Sequence, residues 1–250
     1  MIRLFQRCKR LRYAPRFFSS NGGNTEKVDQ SVSVETLLAH TGMEVGHNAA
    51  MAPPLHVSTT YTRPADGNYL ESDFIYARME NPTRLLLEQS MSRLECHGDH
   101  RPYNPEEAVS CAFASGMAAA SSVVLAHQSP VTIFLPMDVY HGVPSMLEDV
   151  MSRFDVTRKA IDFNNLTMLE DILLDASSKG SSDIILWMES PSNPQCHVID
   201  VESVCKVVER LGLEKTVTTV VDSTFAPPCI SQPLRVSVRF YNCVSREVSS

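Results

Sequence analysis

Four places in the sequence put a group with distinctive chemistry shortly after a short apolar run. Tyr140 follows VTIFLP, Asn193 follows DIILWM and Asp222 follows TVTTVV, while VSCAFA leads into Ser115-Gly116-Met117. An aromatic side chain can stack on a flat ring, an amide can hydrogen-bond to its oxygen, and a carboxylate can hold a ring nitrogen protonated. The backbone N–H groups of a helix start suit a phosphate. Together these groups complement one planar, phosphorylated and positively charged heterocycle.

The apolar runs predict the strands that would position these groups. They are almost continuously apolar and cover 109–114, 131–136, 183–188 and 216–221. Segments with helical spacing lie between them, which indicates an α/β protein with a mostly parallel sheet flanked by helices. In such sheets ligands bind outside the carboxyl ends of the strands. The four groups would therefore meet there, and the cofactor that fits them is pyridoxal phosphate (PLP).

The helices are predicted from the spacing of apolar residues. Asn81 is the expected N-cap of one helix and Pro82 its first residue. The apolar face of this helix holds three residues, Leu87, Met91 and Leu94. A helix after VTIFLP should have five residues on one face, namely Met146, Leu147, Val150, Met151 and Phe154. A later helix should stop at Gly212, which suits the left-handed turn beyond a helix end.

The candidate site residues also have ordinary structural interpretations. Ser115 suits a helix N-cap followed by tight packing, Tyr140 a half-buried position at a strand end, and Asp222 an Asx turn at the start of the loop. What favours a ligand site is that the complementary groups all follow strands of one predicted sheet.

Two other kinds of site are not expected. The stretch Glu95-Cys96-His97-Gly98-Asp99-His100 contains metal-ligand residue types, but no second Cys/His cluster accompanies it at zinc spacing. An unrelated nucleotide-binding α/β protein is disfavoured because no G-x-G-x-x-G or G-x-x-x-x-G-K turn follows a predicted strand.

Five stretches resemble, in their order and spacing, the front half of the Cys/Met-metabolism family of PLP enzymes. That family includes cystathionine γ-synthase, cystathionine γ-lyase, cystathionine β-lyase and methionine γ-lyase. The matching stretches are STTY (58–61), YARMENPTR (76–84), SGMAA (115–119), ESPSNP (189–194) and VDSTFAPP (221–228). The resemblance runs from about Val34 to Arg235. It implies the large domain of fold-type I PLP enzymes, here incomplete at its C-terminus.

The resemblance implies a cofactor site at the predicted strand ends. The backbone of Ser115-Gly116-Met117 would bind the phosphate, and Tyr140 would stack on the ring and act as the candidate catalytic residue. Asn193 would meet the ring hydroxyl and Asp222 the ring nitrogen. Thr224, in the same motif as Asp222, is counted with the cofactor-binding residues.

The resemblance also implies partners. Tyr76 and Arg78 resemble the pair that reaches the cofactor phosphate of a neighbouring subunit, which implies a homo-oligomer of two or four subunits. The expected substrate is a small sulfur amino acid or a homoserine ester, and the expected reaction is the synthesis or cleavage of cystathionine. One residue departs from the family pattern, because His141 stands where a glycine usually follows the tyrosine.

A lysine is missing from the expected place. Family chemistry uses a lysine that holds the cofactor aldehyde as a Schiff base, within a Ser-x-Thr-Lys motif that follows the next strand. All six lysines of this chain precede Asp222. The sequence therefore predicts a truncated chain that is inactive alone as a lyase or transferase. The alternative is a non-catalytic fragment, or pseudoenzyme, that associates with full-length paralogues and lends them Tyr76 and Arg78.

The first twenty residues differ in charge from the remainder of the chain. They contain six basic side chains, no acidic one and interleaved apolar residues, which is typical of a mitochondrial or plastid transit peptide. If they form only a basic tail, the alternative location is the cytoplasm. The remainder of the chain has 16 basic and 29 acidic side chains, and this acidic balance argues against nucleic acid or an anionic membrane as a partner. No apolar stretch approaches the roughly 18 residues of a membrane span, so no membrane partner is expected.

The predicted organisation has four parts. Residues 1–20 are the expected transit peptide, and residues 21–80 are an N-terminal arm and linker. Residues 81–235 are a partial PLP-binding large domain, and residues 236–250 are a divergent tail.

Overall fold

A computed structural model describes most of the chain. The described residues are 2–5, 33–41, 52–67, 74–96, 109–128, 130–178, 183–235 and 240–244. They form two compact units. The sheet unit consists of Met1–Gln6 with Phe113–Ser250, and the N-terminal unit consists of Arg7–Ala112. The domain boundaries expected from the sequence stay a prediction, and most of residues 1–20 lies outside the described residues.

The N-terminal unit contains two helices and a strand. These are α1 (Val34–Ala39), α2 (Pro82–Cys96) and β2 (Val109–Ala112). Helix α2 begins as the sequence predicts, because Asn81 Oδ1 accepts the backbone N–H of Thr83 at 2.9 Å. The backbone N–H of Ala112 donates to Glu88 Oε1 at 2.8 Å and so joins β2 to α2. Leu87 of the predicted apolar face is 49% exposed.

The sheet unit alternates strands and helices. Its elements in chain order are β1 (Ile2–Phe5), α3 (Gly116–Leu125), β3 (Val131–Leu135), α4 (Gly142–Ser145), β4 (Val156–Ala160), α5 (Leu166–Ser178), β5 (Asp183–Glu189), α6 (Val201–Arg210), β6 (Val217–Asp222) and β7 (Phe240–Val244). The strands of this unit lie in the order β1-β7-β6-β5-β3-β4. All neighbouring pairs are parallel except β1 with β7. The prediction of a mostly parallel sheet flanked by helices is therefore confirmed.

The burial of strand β5 shows that the sheet is covered on both faces. Side chains of a strand alternate between the two faces of the sheet, yet Ile184, Ile185, Leu186, Trp187 and Met188 are all fully buried. Ile185 and Trp187 belong to a core cluster with residues of α3, β3 and α4. Helix α6 ends as expected, with Gly212 at a φ of 65° just beyond it.

Three strands were not predicted from the sequence. Strand β4 has the sequence VTRKA and lies at an edge of the sheet, with mostly exposed residues. Its polarity is the physical reason that it does not read as a buried strand. Strands β1 and β7 pair with each other, and β7 also pairs with β6. Strand β6 is therefore followed by a further strand of the same sheet.

The prediction of a single apolar helix face after β3 is wrong. Helix α4 continues as a π-helical turn (Met146–Val150) and then as a 3₁₀ turn (Met151–Phe154). These turns have different angular periods from an α-helix, so residues at α-helical spacing point in different directions. Met146, Leu147 and Met151 are buried, whereas Val150 is 50% and Phe154 is 53% exposed.

Candidate functional site

The carboxyl ends of β3, β5 and β6 lie side by side, as the sequence predicts for the site. The strand register places Glu189 opposite Asp222 at the ends of β5 and β6. The backbone N–H of Ser190 donates to the Asp222 carbonyl oxygen at 3.1 Å. The three loops that follow these strands carry Tyr140, Asn193 and Thr224.

Asp222 is a buried carboxylate with neutral hydrogen-bond partners. Its Oδ1 accepts the Thr224 hydroxyl at 2.5 Å and the Thr224 backbone N–H at 3.0 Å. Burial raises the pKa of Asp222 above its usual value, although both bonds from Thr224 act to lower it. The Asx-turn interpretation of Asp222 therefore holds, and a cation placed beside this buried carboxyl group would favour its ionised form.

Glu189 joins two loops of the site. Its Oε2 accepts the backbone N–H of Tyr140 at 2.9 Å, and its Oε1 accepts the backbone N–H of Asn193 at 2.6 Å. The side chain is buried. Burial is the main reason that the pKa of Glu189 rises to about 7, and the nearby Asp222 and Asp138 charges raise it further, against the two hydrogen bonds. Sequence reasoning missed this residue, although it opens the ESPSNP stretch directly after five apolar residues.

Tyr140 packs against a glycine that leaves room for its ring. A Cβ added to Gly142 would lie 2.4 Å from Tyr140 Cε1 and 3.2 Å from the Met117 sulfur. The His141 and Tyr140 ring centroids are 4.8 Å apart in an edge-to-face arrangement. Tyr140 is 37% exposed. It therefore presents aromatic surface at the strand ends, close to the start of α3.

A second set of polar contacts holds the same loops. The Ser192 hydroxyl donates to Asp138 Oδ2, and the His197 backbone N–H donates to the Ser192 hydroxyl oxygen at 2.9 Å. The His197 Nδ1 lies 3.6 Å from Asp138 Oδ2. The loop after β3 is thus tied to the loop after β5 through side chains as well as through Glu189.

The start of α3 has the N-cap that the sequence predicts. The Ser115 hydroxyl oxygen accepts the backbone N–H of Ala118 at 3.2 Å. The first N–H groups of a helix have no acceptor within the helix, and here they belong to Gly116 and Met117. These N–H groups and the helix dipole suit an anionic group.

Tyr76 and Arg78 belong to the N-terminal unit. Tyr76 forms an isolated bridge with Thr60, and the Arg78 guanidinium carbon lies 4.9 Å from the centre of the Tyr76 ring. Both side chains are exposed. Their role toward a cofactor stays a prediction.

The residues of the sheet unit fit PLP. The carboxylate of Asp222 suits a protonated ring nitrogen, because none of the described groups that shift its pKa is a cation. Tyr140 offers an aromatic face, Asn193 an amide, and the start of α3 a place for the phosphate. The role of each residue remains a prediction, but together these groups complement one cationic, phosphorylated ring.

The described part of the chain lacks two other features. Within it, no group of three or more His, Cys, Asp or Glu residues is arranged to hold a metal ion. Residues 97–100, from the stretch with metal-ligand types, lie outside the described residues. Among the helices that the structure describes, none has the length and apolar character needed to cross a bilayer.

Comparison with known proteins agrees with this chemistry. Residues 35–239 match the family described as Cys/Met metabolism PLP-dependent enzymes. The chain is 30% identical over 188 residues to cystathionine gamma-synthase of Mycobacterium tuberculosis, which covers 75% of this chain and 43% of the relative. It is 31% identical over 201 residues to human cystathionine gamma-lyase, which covers 80% of this chain and 44% of the relative.

A solved structure supports the same assignment. The chain resembles a cystathionine gamma-lyase from Lactobacillus plantarum complexed with L-serine, with a TM-score of 0.66 and 28% identity. The match covers 83% of this chain and 49% of that one. This chain spans less than half the length of the curated relatives named above. The family match covers most of the chain, and the protein therefore belongs to the Cys/Met metabolism family of PLP-dependent enzymes.

Proposed function

We propose that the sheet unit binds PLP at the carboxyl ends of β3, β5 and β6. Asp222 meets the ring nitrogen, Asn193 the ring hydroxyl, and Tyr140 stacks on the ring. The backbone N–H groups of Gly116 and Met117 receive the phosphate. The observation that carries this proposal is the buried Asp222 carboxylate, whose hydrogen-bond partner among the described residues is the neutral Thr224.

Residues of this chain would hold and orient the cofactor. When bound, PLP supplies an electron sink that stabilises negative charge on the α carbon of an amino acid. Asp222 holds the proton on the ring nitrogen, which strengthens that sink. Thr224 fixes the Asp222 carboxylate with two hydrogen bonds. Tyr140 restricts the tilt of the ring, and Asn193 sets its rotation within the plane.

Cofactor binding is tested by exchanging Asp222. The purified chain is titrated with PLP, and binding is followed by the absorbance of the cofactor and by equilibrium dialysis. Asp222→Asn removes the charge but keeps the shape, and it should weaken binding about 10- to 100-fold, as expected for a hydrogen bond between charged groups. Asp171→Asn, on the exposed surface of α5, is the matched control. Equal affinities for the two variants would contradict the proposal.

The proposed reaction is transsulfuration. The substrate is a sulfur amino acid or a homoserine ester, and the reaction is elimination or replacement at its β or γ carbon, with cystathionine as product or substrate. The family supports this class of reaction, and two relatives of this chain carry the names cystathionine gamma-synthase and cystathionine gamma-lyase. Assays with cystathionine, cysteine and homoserine esters distinguish synthesis from cleavage.

The 250-residue chain alone should not turn over these substrates. All six of its lysines precede Asp222, and Lys206 is an exposed helix residue whose Nζ lies 2.6 Å from Glu202. Without a positioned lysine as general base, the rate should fall by about 10²–10⁴. Borohydride reduction after incubation with PLP, followed by mapping of modified lysines, tests this point. Stoichiometric label on one lysine, with turnover that disappears when that lysine is changed, would contradict it.

A second candidate function is association with a full-length paralogue. It is favoured by the exposed pair of Tyr76 and Arg78 in the N-terminal unit, which would reach a partner's cofactor phosphate. The same contact between copies would give the homo-oligomer. Co-expression with a full-length relative, followed by size-exclusion chromatography of the wild-type chain and of Arg78→Ala, tests this function. A chain that elutes alone and leaves the relative's activity unchanged excludes it.

The proposed location is a mitochondrion or plastid. It rests on the basic and acid-free composition of residues 1–20. A fluorescent reporter fused to residues 1–30 should enter one of these organelles. A uniformly cytosolic signal would support the cytoplasmic alternative.

A further inference from the structure

The side chain of Glu189 forms hydrogen bonds with two loops of the site. Its two oxygens accept backbone N–H groups from two different loops, Tyr140 after β3 at 2.9 Å and Asn193 after β5 at 2.6 Å. The acceptor lies at the end of β5, in register with Asp222 on β6. The positions of Tyr140 and Asn193 relative to Asp222 therefore depend on one carboxylate.

Both oxygens of Glu189 are needed for this arrangement. A carboxylate accepts hydrogen bonds on either oxygen, whereas an amide or a protonated carboxyl group has only one good acceptor and adds a donor. The side chain is buried, so a backbone N–H that loses this partner loses its hydrogen bond in a place with little access to water. Removing either acceptor should therefore release one of the two loops.

We infer that Glu189 is a positioning residue, which sets Tyr140 and Asn193 at the spacing from Asp222 that the cofactor ring requires. It does so through the backbone of both loops, without contacting the ring itself. This inference rests on the proposed PLP site. Glu189 thus has a role in the site although it is not one of the residues proposed to contact the cofactor.

Other titratable groups lie near Glu189, and their effects on a pH titration must be distinguished from its own. Asp222 faces it from β6 and Asp138 from the loop after β3, and both raise its pKa. His197 lies beyond Asp138, 3.6 Å from that carboxylate, and His141 lies against the Tyr140 ring. A pH effect that belongs to Glu189 must therefore disappear in Glu189→Gln and persist when either histidine is replaced by glutamine.

The first experiment follows the two backbone N–H groups directly. The full chain is labelled with ¹⁵N-tyrosine or ¹⁵N-asparagine, and the amide signals of Tyr140 and Asn193 are recorded between pH 5 and 9, as two units on either side of a pKa of about 7. Both signals should shift with one common midpoint in the wild-type chain and in the histidine variants. Neither should do so in Glu189→Gln. Separate midpoints, or a shared midpoint that survives in Glu189→Gln, would overturn the inference.

The second experiment measures the consequence for the cofactor. At pH 8, Glu189→Gln should bind PLP about tenfold more weakly than the wild-type chain, as expected for the loss of one buried hydrogen bond. The induced circular dichroism of the bound cofactor should also fall, because the ring is held less firmly. Glu209→Gln, at an exposed position of α6, is the matched control and should bind like the wild-type chain.

The outcomes separate this inference from the proposed function. If the wild-type chain does not bind PLP, the proposed function fails, whereas the amide titration still decides whether Glu189 holds both loops. If the chain binds PLP and Glu189→Gln binds it as tightly as Glu209→Gln does, the positioning role is wrong. If Glu189→Gln does not fold, the titration of the wild-type chain and the circular dichroism of Glu189→Asp provide the test. Unchanged dichroism in Glu189→Asp, whose shorter side chain cannot reach both loops, would refute the role.

Discussion

Gly142 should be necessary for the position of Tyr140 and dispensable for the stability of the fold. In Gly142→Ala, the new Cβ would lie 2.4 Å from Tyr140 Cε1 and 3.0 Å from Tyr140 Cζ. Carbon atoms in contact normally lie about 3.5 Å or more apart, so the ring must move by about 1 Å. Its backbone is held by Glu189, and the movement must therefore come from rotation of the side chain.

The magnitudes follow from the exposure of the ring. Because Tyr140 is only half-buried, the ring can move toward solvent, and the free energy of unfolding should fall by less than about 1 kcal/mol, the low end for overpacking. Stacking of two aromatic rings contributes about 0.5–1.5 kcal/mol beyond buried area. A displaced Tyr140 should therefore weaken PLP binding about two- to tenfold.

A double-mutant cycle tests whether the effect acts through Tyr140. PLP affinity is measured for the wild-type chain, Gly142→Ala, Tyr140→Ala and the double variant, and stability is measured by urea unfolding with the fluorescence of Trp187, the one tryptophan in the chain. Gly142→Ala should have no further effect once Tyr140 is alanine, since the two changes remove the same contact. An equal loss of affinity in both backgrounds would refute the reasoning, and so would wild-type affinity in Gly142→Ala.

Three further predictions concern stability. The raised pKa of Glu189 means that the folded chain binds this proton more tightly than the unfolded chain, so this contribution is fully present below the ordinary pKa of 4.5 and is lost as pH rises through about 7. The difference in the free energy of unfolding between the wild-type chain and Glu189→Gln should therefore decline across that range, and a flat difference would contradict the assignment. Leu173→Ala should cost about 2–5 kcal/mol in urea unfolding because the side chain is fully buried, whereas its half-exposed neighbour Leu174→Ala should cost much less. Asp200→Ala should cost about 1 kcal/mol by removing the N-cap bond to the Ser203 backbone N–H at 3.0 Å, and equal melting temperatures would exclude that role.

Three of the strands that the sequence predicts, β3, β5 and β6, are buried along nearly their whole length. Strand β5 contains a continuous run of apolar residues because both of its faces are buried, and such a run is recognisable in the sequence. Strand β4 has one neighbour and exposed side chains, so its sequence is free to be polar. What determines β4 is its pairing with β3, and no local pattern reports a pairing partner. The turns after α4 escape prediction for a similar reason, because their departure from α-helical geometry is set by packing.

In the candidate site, too, the sequence predicts some residues and not others. Residues that we propose to contact the cofactor through their own side chains, such as Asp222 and Tyr140, stand out because their side chains are unusual at or just after the end of a buried strand. Glu189 acts through the distance between its oxygens and two backbone N–H groups, one of which lies 49 residues earlier in the chain. Gly142 acts through space that it leaves for a ring. Neither relation is visible before the loops are folded.

The carboxylates at the strand ends connect stability with ligand choice. Glu189 and Asp222 are the last residues of β5 and β6, and Asp138 lies in the loop after the neighbouring β3. Asp138 and Asp222 both raise the pKa of Glu189. Their hydrogen bonds within the described residues come from hydroxyl and backbone N–H groups, which lower the cost of burying charge without neutralising it. A ligand that carries only a phosphate would use the start of α3 and leave this negative charge uncompensated. A ligand with a protonated ring nitrogen beside Asp222 compensates it, because an opposite charge within a few ångströms favours the ionised carboxylate. The proposed site should therefore prefer a ligand that carries a phosphate for the start of α3 and a cation for Asp222 on one ring.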